Sequence, residues 1–134
     1  MKQLRELTIM TPNKPGKLSQ VLRTLPAAKV NLQAIDSSSG YDLNLVRLIT
    51  SDATKTKRAL EKLGYQVTET AVLAVTIIDQ PGQLAKITSA LGKAKVNIDY
   101  MYATAAANGA EALVVFHLSD SIAGEKALRA AGWQ

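Results

Sequence analysis

Cysteine is missing from the 134-residue chain, which also has a single histidine, a single phenylalanine and a single tryptophan. Without cysteine there is no disulfide, no thiolate nucleophile and no thiolate metal site. His117 has no second imidazole to join it, so neither a metal centre nor histidine catalysis is expected. No apolar run approaches the ~20 residues of a membrane span, and the N-terminal stretch interleaves Lys2, Arg5 and Glu6 where a signal peptide would be apolar. A cytoplasmic location away from membranes is therefore expected. No phosphate-cradling Gly-x-x-x-x-Gly-Lys occurs, no nucleophile–base pair stands out, and the carboxylates are scattered singly. The expectation is a protein that is not an enzyme, with no catalytic residues, no metal and no cofactor.

The net charge of +5 raises a nucleic-acid reading. The positions of the cations argue against it. Lys55, Lys57, Arg58 and Lys62 share one helical segment with Glu61, and Lys14, Lys17, Arg23, Lys86, Lys93, Lys95 and Lys126 are interspersed with apolar positions at helical spacing. A nucleic-acid surface concentrates its charge and interleaves stacking aromatics. Here the charges describe solvated helix faces, and nucleic acid is not the expected partner.

What the chain does have is a duplication. Lys-Val-Asn-Leu at 29–32 returns as Lys-Val-Asn-Ile at 95–98, and Pro15-Gly16, Leu18, Val21 and Leu25 return as Pro81-Gly82, Leu84, Ile87 and Leu91, all at an offset of 66. One unit is written twice, over 1–70 and 71–134. Each would be marginal alone, since a ~60-residue domain buries only ~60% of its chain surface.

Alternation of Leu7 and Ile9 with Thr8 and Met10 predicts a strand, broken by Pro12 and Pro15-Gly16. Leu18, Val21, Leu22 and Leu25 then fall at helical spacing, with Pro26 expected to stop the helix. A second strand begins at Val30, and Ser37 to Gly40 turns into a third over Leu43 to Thr50. Asp52 caps a second helix that Gly64 closes, and Gln66 to Glu69 completes the order βαββαβ. The second unit repeats this from Leu73, with a strand over Val96 to Tyr102 and a type I′ hairpin expected at Asn108-Gly109. Asp120 answers Asp52 and Trp133 answers Tyr65, but the chain stops before most of the last strand. That edge is left for a partner chain to cover. The fold class is α+β: two ferredoxin-like units in tandem, antiparallel sheets with helices on one face.

Asn13-Lys14-Pro15-Gly16-Lys17-Leu18 followed by Val30-Asn31-Leu32, and Asp79-Gln80-Pro81-Gly82-Gln83-Leu84 followed by Val96-Asn97-Ile98, resemble the ligand-binding signature of the ACT domain. The arrangement is similar to small stand-alone tandem ACT proteins. Asn13 stands where aspartate is commoner. The resemblance implies an amino-acid-binding regulatory protein with Asp79, Gly82, Gln83, Leu84, Asn97 and Ile98 as one set of ligand residues and Asn13, Gly16, Lys17, Leu18, Asn31 and Leu32 as the other.

The chemistry of the loop agrees. A glycine at a helix mouth admits a ligand to the backbone, and free N–H groups with the positive dipole end favour a carboxylate by ~0.3–1 kcal/mol. Asn31 or Asn97 and Asp79 supply acceptors for an ammonium, and Leu18, Leu84, Leu32 and Ile98 suit a small apolar side chain. The expected function is binding of such an amino acid between ACT-like units, in a homodimer, with control of assembly or of a metabolic enzyme partner. The competing readings are a ligand-independent regulatory subunit and a nucleic-acid module.

Overall fold

The computed structural model describes residues 1–104 and 106–134. Along the chain run β1 (Lys2–Pro12), α1 (Lys17–Ala27), β2 (Leu32–Gly40), β3 (Leu43–Thr50), α2 (Ala53–Lys62), β4 (Thr68–Ile78), α3 (Gln83–Lys93), β5 (Ile98–Ala103), β6 (Glu111–Leu118) and α4 (Ser121–Ala130). They form two compact units, an N-terminal one of Arg5–Thr70 and a C-terminal one of Ala71–Gln134 together with Met1–Leu4. Among the described residues no helix is long and apolar enough to cross a membrane.

Each unit carries the α+β pattern expected of it. In the N-terminal unit the strands lie in the order β2-β3-β1, antiparallel, with Pro12 opposite Leu43 and Leu32 opposite Thr50. Ile9, Val46 and Leu48 meet Val21 of α1 and Leu60 of α2 in its core. In the C-terminal unit the order is β5-β6-β4, with Ile78 opposite Glu111 and Ile98 opposite Leu118. Leu73, Val75, Val114 and Phe116 meet Ile87, Leu91 and Leu128. Full burial of such a side chain stabilises by ~1.5–3 kcal/mol, and these clusters set which face each helix turns inward.

The strand over Gln66 to Glu69 and the strand from Leu73 are one element, β4, of 11 residues. Between them Thr70, Ala71 and Val72 supply no turn former, so nothing interrupts the ladder. Pro26 lies inside the last turn of α1, which runs one residue further; a missing N–H that near a helix end forfeits a single bond. The Asn108-Gly109 turn also differs. Of the pair the left-handed φ belongs to Gly109 (80°), and Ala110 N–H donates to Ala107 O at 2.8 Å. A positive φ at the third turn position is the mark of type II, and the connection from β5 to β6 is longer than a two-residue hairpin.

Among the described residues the C-terminal unit has no strand after α4, as the sequence indicates. The chain's own N-terminus belongs with it. Met1 packs against its core beside Trp133, as Val67 packs beside Tyr65 in the N-terminal core. The Met1 ammonium donates to Gln134 O at 2.7 Å, Gln3 Nε2 donates to Glu125 Oε2 at 2.9 Å, and Ser121 Oγ donates to Gln3 Oε1 at 2.6 Å. The edge expected to await a partner chain is served within the chain.

The two cores solve one contact differently. In the N-terminal unit Thr56 is fully buried and its hydroxyl lies 2.8 Å from that of Thr50. At the corresponding place in the other unit Leu118 lies over Gly124, where a Cβ would collide with Leu118 Cδ1 and approach Leu91 Cδ2 to 3.5 Å. Gly124→Thr is expected to destabilise by ~1–3 kcal/mol through overpacking. Leu118→Thr in the same chain should recover part of that loss, a coupling that a double-mutant cycle by denaturant unfolding will read.

A second expectation concerns pH. The Gln3 amide first, then the Arg129 guanidinium, hold the Glu125 carboxyl below its ordinary value of 4.5. A depressed folded pKa contributes stability above the unfolded value and loses it as pH falls through the folded one. Amide protection of Met1–Leu4 should therefore fall as pH drops below the ordinary carboxyl value of 4.5, and Gln3→Leu should lower it at neutral pH while flattening the dependence; a Gln3→Leu profile as steep as the parent's would refute the linkage.

Candidate functional site

Of the four helices among the described residues, two begin with an aspartate and two with a glycine. Asp52 accepts a hydrogen bond from Lys55 N–H and Asp120 from Ala123 N–H, at 3.0 and 2.9 Å, so α2 and α4 have the side-chain caps that the sequence predicts. The residues at the start of α1 and α3 are Gly16 and Gly82, both left-handed (φ 84° and 86°) and neither providing a side-chain cap. A left-handed φ is easy for glycine and costs other L-residues roughly 1–2 kcal/mol.

Of the amides at these bends, Lys17 N–H and Gln83 N–H make long turn bonds, to Lys14 O at 3.3 Å and Gln80 O at 3.4 Å. The amides after them, of Leu18 and Ser19 and of Leu84 and Ala85, have no acceptor among the described residues. A Cβ built on Gly16 or Gly82 meets nothing within 4 Å. Open space beside unclaimed helix N–H groups is the geometry that accepts a carboxylate.

Asn13, Gly16, Lys17 and Leu18 stand together at one end of the N-terminal unit, as do Asp79, Gly82, Gln83 and Leu84 in the C-terminal one. Leu18 packs against the core, whereas Leu84 is 38% exposed. Asn31 with Leu32, and Asn97 with Ile98, stand at the other end. Pro12 is opposite the first residue of β3 and Leu32 opposite its last; β6 separates Ile78 from Ile98 in the same way. Eight-residue strands hold the glycine and the asparagine of one unit about 20–25 Å apart at ~3.3 Å per residue.

The asparagines anchor their strand starts. Asn31 N–H donates to Ser51 Oγ and Asn97 N–H to Ser119 Oγ, each at 2.9 Å, and Asn97 Nδ2 donates to Asp99 Oδ1 at 2.9 Å. Asp99 also lies 3.0 Å from His117 Nδ1, and the His117 ring stacks on Tyr100 with centroids 4.9 Å apart. Sequence reasoning did not connect these four residues, because a strand irregularity between Ile98 and Tyr100 turns Asp99 toward His117. Among the described residues no group of His, Asp and Glu is arranged to hold a metal.

Residues 2–128 match the profile of the ACT domain pair. The chain belongs to that family. It is similar to protein BT0572 from Bacteroides thetaiotaomicron at 30% identity and a TM-score of 0.91, over 98% of this chain and 90% of that one. The ACT-pair fold is shared with the regulatory subunit of aspartate kinase from Thermus thermophilus, at 16% identity and a TM-score of 0.72 over 98% of this chain and 94% of that one. It is shared too with the corresponding subunit from Thermus flavus, at 18% identity and 0.65, over 95% and 91%. Among curated protein sequences none matches.

The ACT bends are expected to need glycine for φ, since space beside them is open. Gly82→Ala and Gly16→Ala should each cost ~1 kcal/mol or more. Gly92→Ala, in an open helical position, should stabilise by ~0.5–1 kcal/mol. Urea unfolding of the three variants checks the contrast, and equal losses would show that crowding rather than φ governs the bends.

Proposed function

We propose that this ACT pair is a non-catalytic regulatory protein that binds a small amino acid at its glycine loops and thereby changes assembly or the control of a metabolic enzyme. The observation that carries the reading is the unclaimed first-turn N–H groups of α1 and α3 beside open glycine bends, against the aspartate caps of α2 and α4. The α-carboxylate takes those amides, around Gly82, Gln83 and Leu84 in one loop and Gly16, Lys17 and Leu18 in the other. Asp79 and Asn13 each stand three residues before the glycine. The strand starts, Asn97-Ile98 and Asn31-Leu32, contribute from another ACT-like unit, since a unit's own asparagine stands too far from its own glycine. The family and the likeness in fold to a protein described as a regulatory subunit of aspartate kinase support a regulatory role.

Leu84 and Ile98 favour an apolar side chain in the ligand. A ligand of fewer than ten heavy atoms is held at roughly micromolar to millimolar Kd. At about 100 times Kd it stabilises the folded state by ~2.7 kcal/mol. A melting-temperature panel of the twenty amino acids at millimolar concentration should therefore show a rise of several degrees for one or a few small apolar members, and Gly82→Val should abolish it. Asn97→Ala should weaken it. If no amino acid moves the melting temperature, the ligand-independent subunit reading replaces this one.

A further inference from the structure

Besides its glycine loop, each unit packs its two helices side by side and leaves a groove along the seam. In the C-terminal unit the groove between α3 and α4 has a volume of about 750 Å³ and is open along its length. Its α3 wall contributes Lys86 and Lys93, and its α4 wall contributes Ala127, Ala130 and Ala131. In the N-terminal unit the groove between α1 and α2 is smaller, at about 400 Å³, and its cations, Lys55, Arg58 and Lys62, come from the second helix. Among the described residues none of these cations has an ion-pair partner, and no carboxylate lines either groove.

Duplication alone does not produce this pattern. Ala28 and Ala94 hold one place in the repeat, as do Ala59 and Ala127, so part of the small lining is common to both copies. The charges are not. Ala27 answers Lys93 and Lys62 answers Ala130, so alanine and lysine have changed places between the walls. Each groove keeps one wall of small residues and one cationic wall, while the helix that supplies the cations differs. The cations also keep one spacing: Lys86 and Lys93 are seven residues apart, as are Lys55 and Lys62, a rise of about 10.5 Å along a helix. A docked helix with carboxylates at the same interval sets one acid against each lysine. An alanine wall lets its axis come to the near end of the ~8–10 Å range of helix packing. Among the described residues no aromatic side chain lines the groove for a base to stack on. A second copy of this chain is a poor occupant, because a net charge of +5 sets cation against cation.

We propose that the groove between α3 and α4 docks an acidic amphipathic helix of a partner protein, with carboxylates at heptad spacing on Lys86 and Lys93 and small side chains against Ala127, Ala130 and Ala131. The α1–α2 groove has about half that room and provides the charge control. The probe is a labelled, end-capped peptide of about 20 residues, long enough to be helical in isolation, with glutamates at every seventh position among alanines and leucines. Anisotropy with the intact protein at about 0.15 M salt, where exposed charges are screened beyond ~8 Å, should show saturable binding. A peptide of the same composition with its glutamates spread round the helix should bind about tenfold more weakly. Lys86→Glu with Lys93→Glu should weaken binding about tenfold or more, whereas Lys55→Glu with Lys62→Glu, the same change in net charge, should leave Kd within about twofold. Ala130→Gln, at an exposed position, should also weaken binding with the melting temperature unchanged, since a long side chain then stands in the groove. Equal losses from the two lysine pairs, equal affinity for the two peptides, or no binding at millimolar peptide overturns the inference. So does a silent peptide beside binding of oligothymidylate or phosphatidylglycerol vesicles that needs Lys86 and Lys93. None of these outcomes bears on the amino-acid reading, which the melting-temperature panel tests by itself.

Discussion

The C-terminal unit depends on residues from the far end of the sequence. Its helix α4 ends the regular structure, and without Met1–Leu4 its core would face water where Met1 and Trp133 pack. The closure is partly apolar and partly a set of directed bonds from Gln3 and the terminal ammonium. A contact of this sequence separation carries the full loop-closure cost, yet that cost grows only slowly with length, by ~0.6 kcal/mol per doubling. The long-range closure is therefore sustainable on a handful of contacts. It also means that the chain cannot be cut at residue 70 into two independent halves without depriving the second of its edge.

Much of the fold was legible because helix ends are written in local chemistry. All four helices finish alike: Val30, Tyr65, Val96 and Trp133 donate back to Leu25, Leu60, Leu91 and Leu128, and Lys29, Gly64, Lys95 and Gly132 take the left-handed position before them. This is the Schellman arrangement with its apolar contact. It gives the repeated Lys-Val-Asn a structural reason, for the lysine fills the left-handed site, the valine packs back on the helix, and the asparagine starts the strand. A motif that signals ligand binding is therefore also helix-ending grammar. The joined strand β4 and the pairing of the chain start with the last helix were not legible, because neither leaves a local mark: the first is the absence of a breaker, the second a meeting of residues from opposite ends of the sequence.

Positions of the candidate site were legible in part. The glycine bends were found by their Pro-Gly pairs, whereas the distance from each bend to its asparagine depends on strand length and register. Divergence between the copies was also hidden. On the strand face away from the core, Glu6 is buried, Arg47 Nε lies 3.9 Å from it and Arg47 Nη1 lies 2.9 Å from Asp36. The corresponding places at the repeat offset hold Val72, Val115 and Tyr102, with both valines fully buried. A buried ion network is weak evidence for stability, since apolar residues of similar size often do as well. Here one chain contains both solutions on the same scaffold, which separates what the fold demands at that face, burial, from what it leaves free, polarity.

The same comparison bears on the loops. An aspartate or serine at a helix start stabilises by ~0.5–2 kcal/mol relative to alanine and by only a few tenths relative to glycine. The chain has that device in α2 and α4 and lacks it in α1 and α3, in both copies and at the same place. The duplication accounts for the same pattern in both copies, and packing does not require the glycines, because nothing stands within 4 Å of where a Cβ on either would be. What the two starts share is a left-handed glycine in place of a capping side chain, with room beside it for more than a Cβ.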